Sequence, residues 1–277
     1  MAPMTEQEMA AVKSQWDARA VTYAETANAR MTLQGALELH ANMQLDRAAN
    51  VLEVAAGPGM GSLDILRYLK AAGTESKLTV TDFSPAMVEQ ARVALQDTAS
   101  GNVEVRCAEA NALNLSDFET GSMDRYIACL GLQLVPDVSA MLREARRVLT
   151  ADGIAGFVVW GRPEKSGIYS VCGRANAELN IEGGGEHPYF ALSKDLSALR
   201  RQFKDAGFSR MRLWPYQSAV ECWSGEEFAH FLDGLRPVAD EAARPRRFEL
   251  AKQMADEWLE ANEFPLGLEV YIIVAKP

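Results

Sequence analysis

Histidine and cysteine are scarce, with three and four residues in a chain of 277. Cys107, Cys129, Cys172 and Cys222 are scattered without a C-x-x-C pair, which argues against a disulfide framework and for a reduced, cytoplasmic setting. No cluster of His, Asp and Cys has metal-ligand spacing, so no metal is expected. Long hydrophobic runs are missing too: the longest, Ile154–Trp160, falls far below the roughly 20 residues of a bilayer span. The opening MAPMTEQEMAAVKSQWDARA has no basic start followed by an apolar stretch, so neither a targeting segment nor a membrane partner is expected. Basic charge is in deficit, with 28 Lys and Arg against 38 Asp and Glu; the net charge of -10 repels a phosphate backbone and excludes nucleic acid as the expected partner. Repeats and low-complexity tracts are absent. The 48% hydrophobic and 24% charged residues are those of a globular chain, long enough for one large domain or two small ones.

From Ala49 to about Lys165, short β-branched apolar runs alternate with longer amphipathic stretches, the pattern of βαβ units on a parallel sheet. Strands are expected at Asn50–Ala55, Lys77–Thr81, Val103–Arg106, Arg125–Cys129 and Ile154–Trp160, then at Met211–Tyr216 and Leu268–Ala275. Helices are expected at Leu63–Lys70, from the Ser84-Pro85 cap onward, at Asp137–Thr150 and at Ser193–Gly207. Arg143, Arg146 and Arg147 read as a solvated face. A leader, 1–48, carries capping-box spacing at Thr5 and Glu8 and an amphipathic stretch over Met31–Arg47. Residues 162–192, with the Gly183–Gly185 triplet, read as a long, partly mobile connection. Ser224–Glu263 reads as helical with a capping box at Ser224 and Glu227, so that a core of 49–216 and 267–277 is interrupted by a helical cap, 217–266.

The strongest chemical signal is Val51–Gly61, an apolar strand running into a glycine-rich turn and then a helix. Such a turn lets backbone approach a ligand and aims the free N–H groups of the helix start at it. The next strand ends at Asp82, 25 residues after Gly57, where a carboxylate can accept both hydroxyls of an adenosyl ribose. Two cofactor classes use such a pair, nicotinamide dinucleotides and S-adenosylmethionine. A dinucleotide calls for G-x-G-x-x-G, but Gly57-x-Gly59 is followed by Ser62 in the third position. Glu53 would sit badly beside a pyrophosphate yet suits the ammonium of a methionine tail, so charge favours the sulfonium cofactor.

Over about Trp16 to Phe208 the chain resembles the class I S-adenosylmethionine-dependent methyltransferases. Their first motif, D/E-x-G-x-G-x-G, is matched by Glu53, Gly57 and Gly59, with Ala55 where its first glycine usually stands, a change of one methyl expected to cost little. Asp82-Phe83-Ser84-Pro85-Ala86-Met87 is similar to the D-F-S-x-x-M-L of quinone C-methyltransferases, and Ala108–Leu113 to G-D-A-x-x-L. Leu130–Asp137 parallels F-G-L-R-N-V-P-D, Glu144–Gly153 parallels E-x-x-R-V-L-K-P-G-G, and Trp16-x-x-x-Ala20-x-x-Tyr23 resembles F-D-x-x-A-x-x-Y-D. The resemblance implies an α/β, Rossmann-like, mostly parallel seven-stranded sheet with helices on both faces. It implies cofactor contacts at Tyr23, Glu53, Ala55, Gly57, Gly59, Asp82, Phe83, Met87, Glu109, Ala110, Cys129 and Leu130, with Tyr23 closing over the cofactor, Glu109 meeting the adenine amino group and Ala110 the ring through its N–H. The implied activity is methyl transfer from S-adenosylmethionine to an O, N or C nucleophile of a small molecule, leaving S-adenosylhomocysteine.

The quinone enzymes join their last two strands tightly, whereas about fifty residues intervene here, which would shape a substrate chamber or a homodimer contact. Gln133, Trp160 and Tyr216 are the expected substrate-side residues, at the ends of strands bordering the cleft. His187, beside the glycine triplet, is the candidate general base; His40 and His230 are expected to face solvent or a helix neighbour. A nicotinamide-dependent oxidoreductase and a non-catalytic cofactor-binding protein of the same fold are the alternatives.

Overall fold

The computed structural model describes residues 6–25, 31–96, 98, 101–262 and 264–277. The Thr5–Glu8 capping box lies outside what is described. The strands are β1 (Asn50–Glu53), β2 (Ser76–Asp82), β3 (Val103–Glu109), β4 (Met123–Cys129), β5 (Leu149–Trp160), β6 (Arg210–Ala219) and β7 (Gly267–Lys276). They form one sheet in the order β3-β2-β1-β4-β5-β7-β6, parallel from β3 to β5, with β7 antiparallel to both its neighbours. Because successive strand side chains point to opposite faces, Val51, Ile127, Val158 and Ile272 enter one buried core, and Leu52, Tyr126, Phe157 and Ile273 enter the other.

The helices are α1 (Glu6–Tyr23), α2 (Leu33–Ala41), α3 (Met60–Ala72), α4 (Pro85–Leu95), α5 (Val138–Val148), α6 (Gly167–Glu178), α7 (Ala191–Lys194), α8 (Leu196–Asp205), α9 (Gly225–Leu235) and α10 (Ala243–Ala261). Ser84 caps α4, its Oγ accepting from the Met87 amide at 3.1 Å with Pro85 in the first turn, and Asp137 caps α5 through the Ala140 amide at 2.8 Å. Helix α1 is pinned across the ends of β2 and β3: the Ser84 hydroxyl donates to Asp17 at 2.5 Å, and Lys13 pairs with Glu109 and lies 5.4 Å from the Phe83 ring centre.

Several expectations need correcting. The stretch 31–47 is not one helix: α2 ends at Ala41 because the Arg125 guanidinium takes the carbonyls of Met43 (2.6 Å) and Gln44 (2.8 Å), and Gln44 turns left-handed at φ 51°. Residues 162–192 are not a loose connection, since α6 lies within them and packs through small residues: a Cβ on Gly167 would meet Trp258 at 2.7 Å, and one on Gly173 would meet the Gly185 carbonyl at 2.1 Å. The span 224–263 breaks into α9 and α10 around Pro237, where a proline cannot continue the helix and Asp240 accepts from the Ala242 amide at 2.9 Å. Ser224 does cap α9, but Glu227 reaches back to the Trp223 amide (2.7 Å) rather than to Ser224's own. Strand β5 begins at Leu149, shortening α5, because Leu149 is buried and pairs with Met123 of β4.

Candidate functional site

A cavity of about 1090 Å³ opens over the carboxyl ends of β1, β2, β4 and β5, roofed by α1 and closed on one side by α6, the 181–189 segment and the break between α9 and α10. It sits where the chain order reverses between β1 and β4, the crevice in which open α/β sheets place ligands.

The glycine turn forms its floor. The Thr81 hydroxyl donates to the Glu53 carbonyl at 2.9 Å and the Ala56 amide donates to the Thr81 carbonyl at 3.0 Å, tying the turn to β2. Glu53 is 2% exposed, and its carboxylate accepts from the Ser62 hydroxyl at 2.5 Å. Burial pushes its pKa up to about 7, the Ser62 hydrogen bond opposing and the Asp82 charge adding to the rise. Ser62, in the place of a third dinucleotide glycine, thus holds a carboxylate. Asp82 accepts from the Gly57 amide at 2.8 Å and the Ser84 amide at 2.9 Å; burial nevertheless raises its pKa. Two carboxylates that burial disfavours as anions line one cavity, an arrangement suited to a ligand bearing a cation and hydroxyl donors.

Thirteen of the sequence-predicted residues line this cavity: Tyr23, Glu53, Ala55, Gly57, Asp82, Phe83, Met87, Ala110, Cys129, Leu130, Gln133, Trp160 and His187. The Tyr23 hydroxyl lies 3.2 Å from Thr32 Oγ1, and its ring meets Trp16 edge-on at 5.6 Å. Cys129 is held as a thiol by burial. Gln133 keeps a buried, unpartnered Oε1.

Gly59, Glu109 and Tyr216 are not brought to the cavity. Gly59 is left-handed at φ 85°, and a Cβ there would lie 2.9 Å from the Ala91 Cα, so its smallness serves the docking of α4 on the turn. Glu109 lines a smaller pocket that adjoins the cavity across Phe83, Ala110 and Asn111, and it pairs with Lys13. Tyr216 packs against the hydrophobic core from the edge strand β6. Two assigned roles change as well. The Ala110 amide already donates to the Asp82 carbonyl at 3.0 Å, so only the rest of the residue faces a ligand. Ala55 is not a cheap glycine substitute: it is left-handed at φ 50°, and a Cβ on Gly131 would meet its methyl at 2.7 Å.

His187 is not a surface loop residue. It stacks in a ring cluster, 4.7 Å from Trp160 and 4.5 Å from Tyr189, and burial with the Arg236 charge lowers its pKa to about 4. Its Nδ1 lies 3.3 Å from the Tyr189 amide and its Nε2 lies 3.2 Å from Arg236 Nη2; a neutral ring has one acceptor nitrogen, so it accepts from one of these two donors. His40 is buried and bonded to its helix neighbour Asp64 at 3.0 Å; His230 is exposed against Phe248. Sequence reasoning missed Arg19, Tyr169, Asn176, Tyr189, Arg236 and Arg247, all of which line the cavity. Pro237 inside an otherwise helical stretch was the available signal for Arg236. Among the described residues, no group of three or more His, Cys, Asp or Glu is placed to hold a metal, and no helix is long and apolar enough to cross a membrane.

A methyltransferase-domain family profile matches residues 51–153. The ubiquinone/menaquinone biosynthesis C-methyltransferase UbiE of Rhizobium johnstonii is 38% identical over 193 residues, 65% of this chain and 72% of the relative. That of Methylobacterium nodulans is 37% identical over 108 residues, so that the aligned stretch spans 39% of this chain and 40% of the relative. Among solved structures, the YcgJ protein of Bacillus subtilis superposes with a TM-score of 0.54 at 19% identity, covering 88% of this chain and 97% of its own, a likeness of fold.

Proposed function

The chain belongs to the class I S-adenosylmethionine-dependent methyltransferases, and on that premise we propose that it transfers the cofactor's methyl group to a small molecule held between the glycine turn and the cap. The observation that carries the cofactor assignment is the pairing of buried Glu53 with Asp82 at adjacent strand ends in one cavity. In this reading Glu53 receives the ammonium of the methionine tail, whose charge removes the penalty of a buried carboxylate, and Asp82 receives the ribose hydroxyls. Gly57 leaves room under Tyr23, whose Cε1 would lie 3.8 Å from an added Cβ. Phe83 and Met87, which line the same cavity, would flank the adenine. When bound, the sulfonium supplies a methyl group that passes to the nucleophile's lone pair while the carbon–sulfur bonding pair stays on sulfur. The protein's task is alignment and exclusion of water. Helix α1, with Trp16 and Tyr23, acts as the lid; the helices between β6 and β7 act as the cap over the acceptor. His187 does not serve as a base at neutral pH, because a group with a pKa near 4 attracts a proton weakly there. Four free thiols suit a reducing cytoplasm, and the negative net charge speaks against a nucleic-acid acceptor.

Calorimetric titration with S-adenosylhomocysteine and with NADH tests the reading. Saturable binding of the first alone is expected; binding of NADH alone would overturn it.

A further inference from the structure

The cavity is electrically divided. Glu53 and Asp82 stand at the glycine turn, whereas the wall built by α6, the 181–189 segment and the α9–α10 break presents aromatic rings and arginines. Trp160 lies 4.1 Å from Tyr169 and 5.3 Å from Tyr189 between ring centres, and His187 completes the cluster. The Arg236 guanidinium lies 5.3 Å from the Tyr169 ring centre and meets the neutral His187 ring. Among the described residues neither Arg236 nor Arg19 forms an ion pair with a carboxylate. Of the carboxylates on this wall, Glu186 is paired with Lys194, while Asp240 and Glu182 keep their charge but are exposed, where water screens them. Beside Arg236, Arg247 is 2% exposed: its Nη1 donates to the Arg236 carbonyl and its Nη2 to Asp233, but its buried Nε–H has no partner.

We propose that this wall is the acceptor subsite and that it selects a flat aromatic carboxylate, its ring against the Trp160–Tyr169–Tyr189 cluster and its anion facing Arg236, whose carbonyl Arg247 holds. A carboxylate fits better than a phenol, because an ordinary phenol is uncharged at neutral pH while the guanidinium fork matches two carboxylate oxygens. The same charge division orients the substrate, since its acidic end is repelled by Glu53 and Asp82 and drawn away from the turn. The inference rests on the methyltransferase reading for what happens to the bound acid, but not for its binding.

The test is isothermal titration of the full chain with 2-naphthoate and its uncharged isostere 2-naphthamide, with and without S-adenosylhomocysteine. Naphthoate should bind at least about 10-fold more tightly than the amide, and Arg236→Gln should abolish that preference while keeping its affinity for S-adenosylhomocysteine. On the wild-type protein, raising salt from 0.05 to 0.5 M should weaken the acid and leave the amide unchanged, a readout independent of whether the variant folds. Equal affinities for acid and amide, no saturable binding of the acid, or a preference that survives in Arg236→Gln would overturn the proposal. Failure of S-adenosylhomocysteine to bind would instead strike the cofactor assignment, leaving the comparison of acid with amide to decide the subsite.

Discussion

Glu53 gives the most quantitative consequence of the cofactor reading. Its pKa of about 7 in the free protein means that cofactor binding must draw on the ionised fraction, while the ammonium in the complex holds the carboxylate charged. That fraction is about 3% at pH 5.5 and about 75% at pH 7.5, so affinity for S-adenosylhomocysteine should rise about 25-fold, or about 2 kcal/mol, across this window. At pH 6 binding should release close to one proton, roughly, visible as a dependence of the calorimetric enthalpy on buffer ionisation. Two controls isolate the group. Glu53→Gln should bind weakly with a flat pH profile, and 5′-methylthioadenosine, which lacks the amino-acid tail, should bind with little pH dependence to the wild type. The free protein carries the converse signature. A carboxyl with its folded pKa raised from 4.5 to about 7 binds more protons folded than unfolded, so it costs nothing below pH 4.5 and progressively lowers stability as pH rises toward 7. The loss from this fully buried group is about 3 kcal/mol, readable as a fall in melting temperature that Glu53→Gln removes. A cofactor affinity constant from pH 5.5 to 7.5, or a pH dependence retained in Glu53→Gln, would refute the assignment.

Asp82→Ala should weaken S-adenosylhomocysteine binding about 10–200-fold through loss of charge-assisted hydrogen bonds, measured by calorimetry with circular dichroism confirming the fold; unchanged affinity would sink the ribose role. Gly59→Val should destabilise the whole protein by about 1–3 kcal/mol or more in urea denaturation, since its Cβ meets Ala91 backbone at 2.9 Å, and wild-type stability would refute the packing account. His187→Ala should leave the shape of the turnover–pH profile between pH 6 and 9 unchanged once an acceptor is in hand, even if packing loss raises KM; disappearance of an ionisation in that range would restore the histidine as a base. Gly131→Ala should destabilise the protein through its 2.7 Å approach to the Ala55 methyl, and Ala55→Gly should relieve it, so a double-mutant cycle with zero coupling would contradict the contact.

The two halves of the cavity differ in how far they could be read in advance, and the difference is physical. On the cofactor side, most contributing residues sit at the end of an apolar strand or just beyond it, so one periodic run places its successor: β1 delivers Glu53, β2 delivers Asp82, and β4 delivers Cys129 and Leu130. What failed there were statements about contacts across elements. Neither the meeting of Gly59 with Ala91 of α4 nor the use of the Ala110 amide by Asp82 leaves a trace in either local sequence. Tyr216 failed because β6 runs on to Ala219 and lies two strands beyond β5: through Val270 it shares the face of Trp160, but not the place of Trp160 in the cleft.

On the acceptor side the wall is assembled from α6, the 181–189 segment that follows it and the α9–α10 break, which meets the other two only in three dimensions. Helix α6 buries a stripe at helical spacing, Ile168, Val171, Cys172 and Ala175, but it is a single short run interleaved with the turn-favouring Gly167 and Gly173 and followed by the Gly183–Gly185 triplet, so the stretch reads as loop. Arg236 on a continuous helix would read as one more solvated cation; the break at Pro237 is what turns it into the cavity. Substitutions in this wall can therefore change the acceptor while every strand-end residue of the cofactor half stays in place, which makes the cap the part of the chain free to specialise on a shared catalytic core.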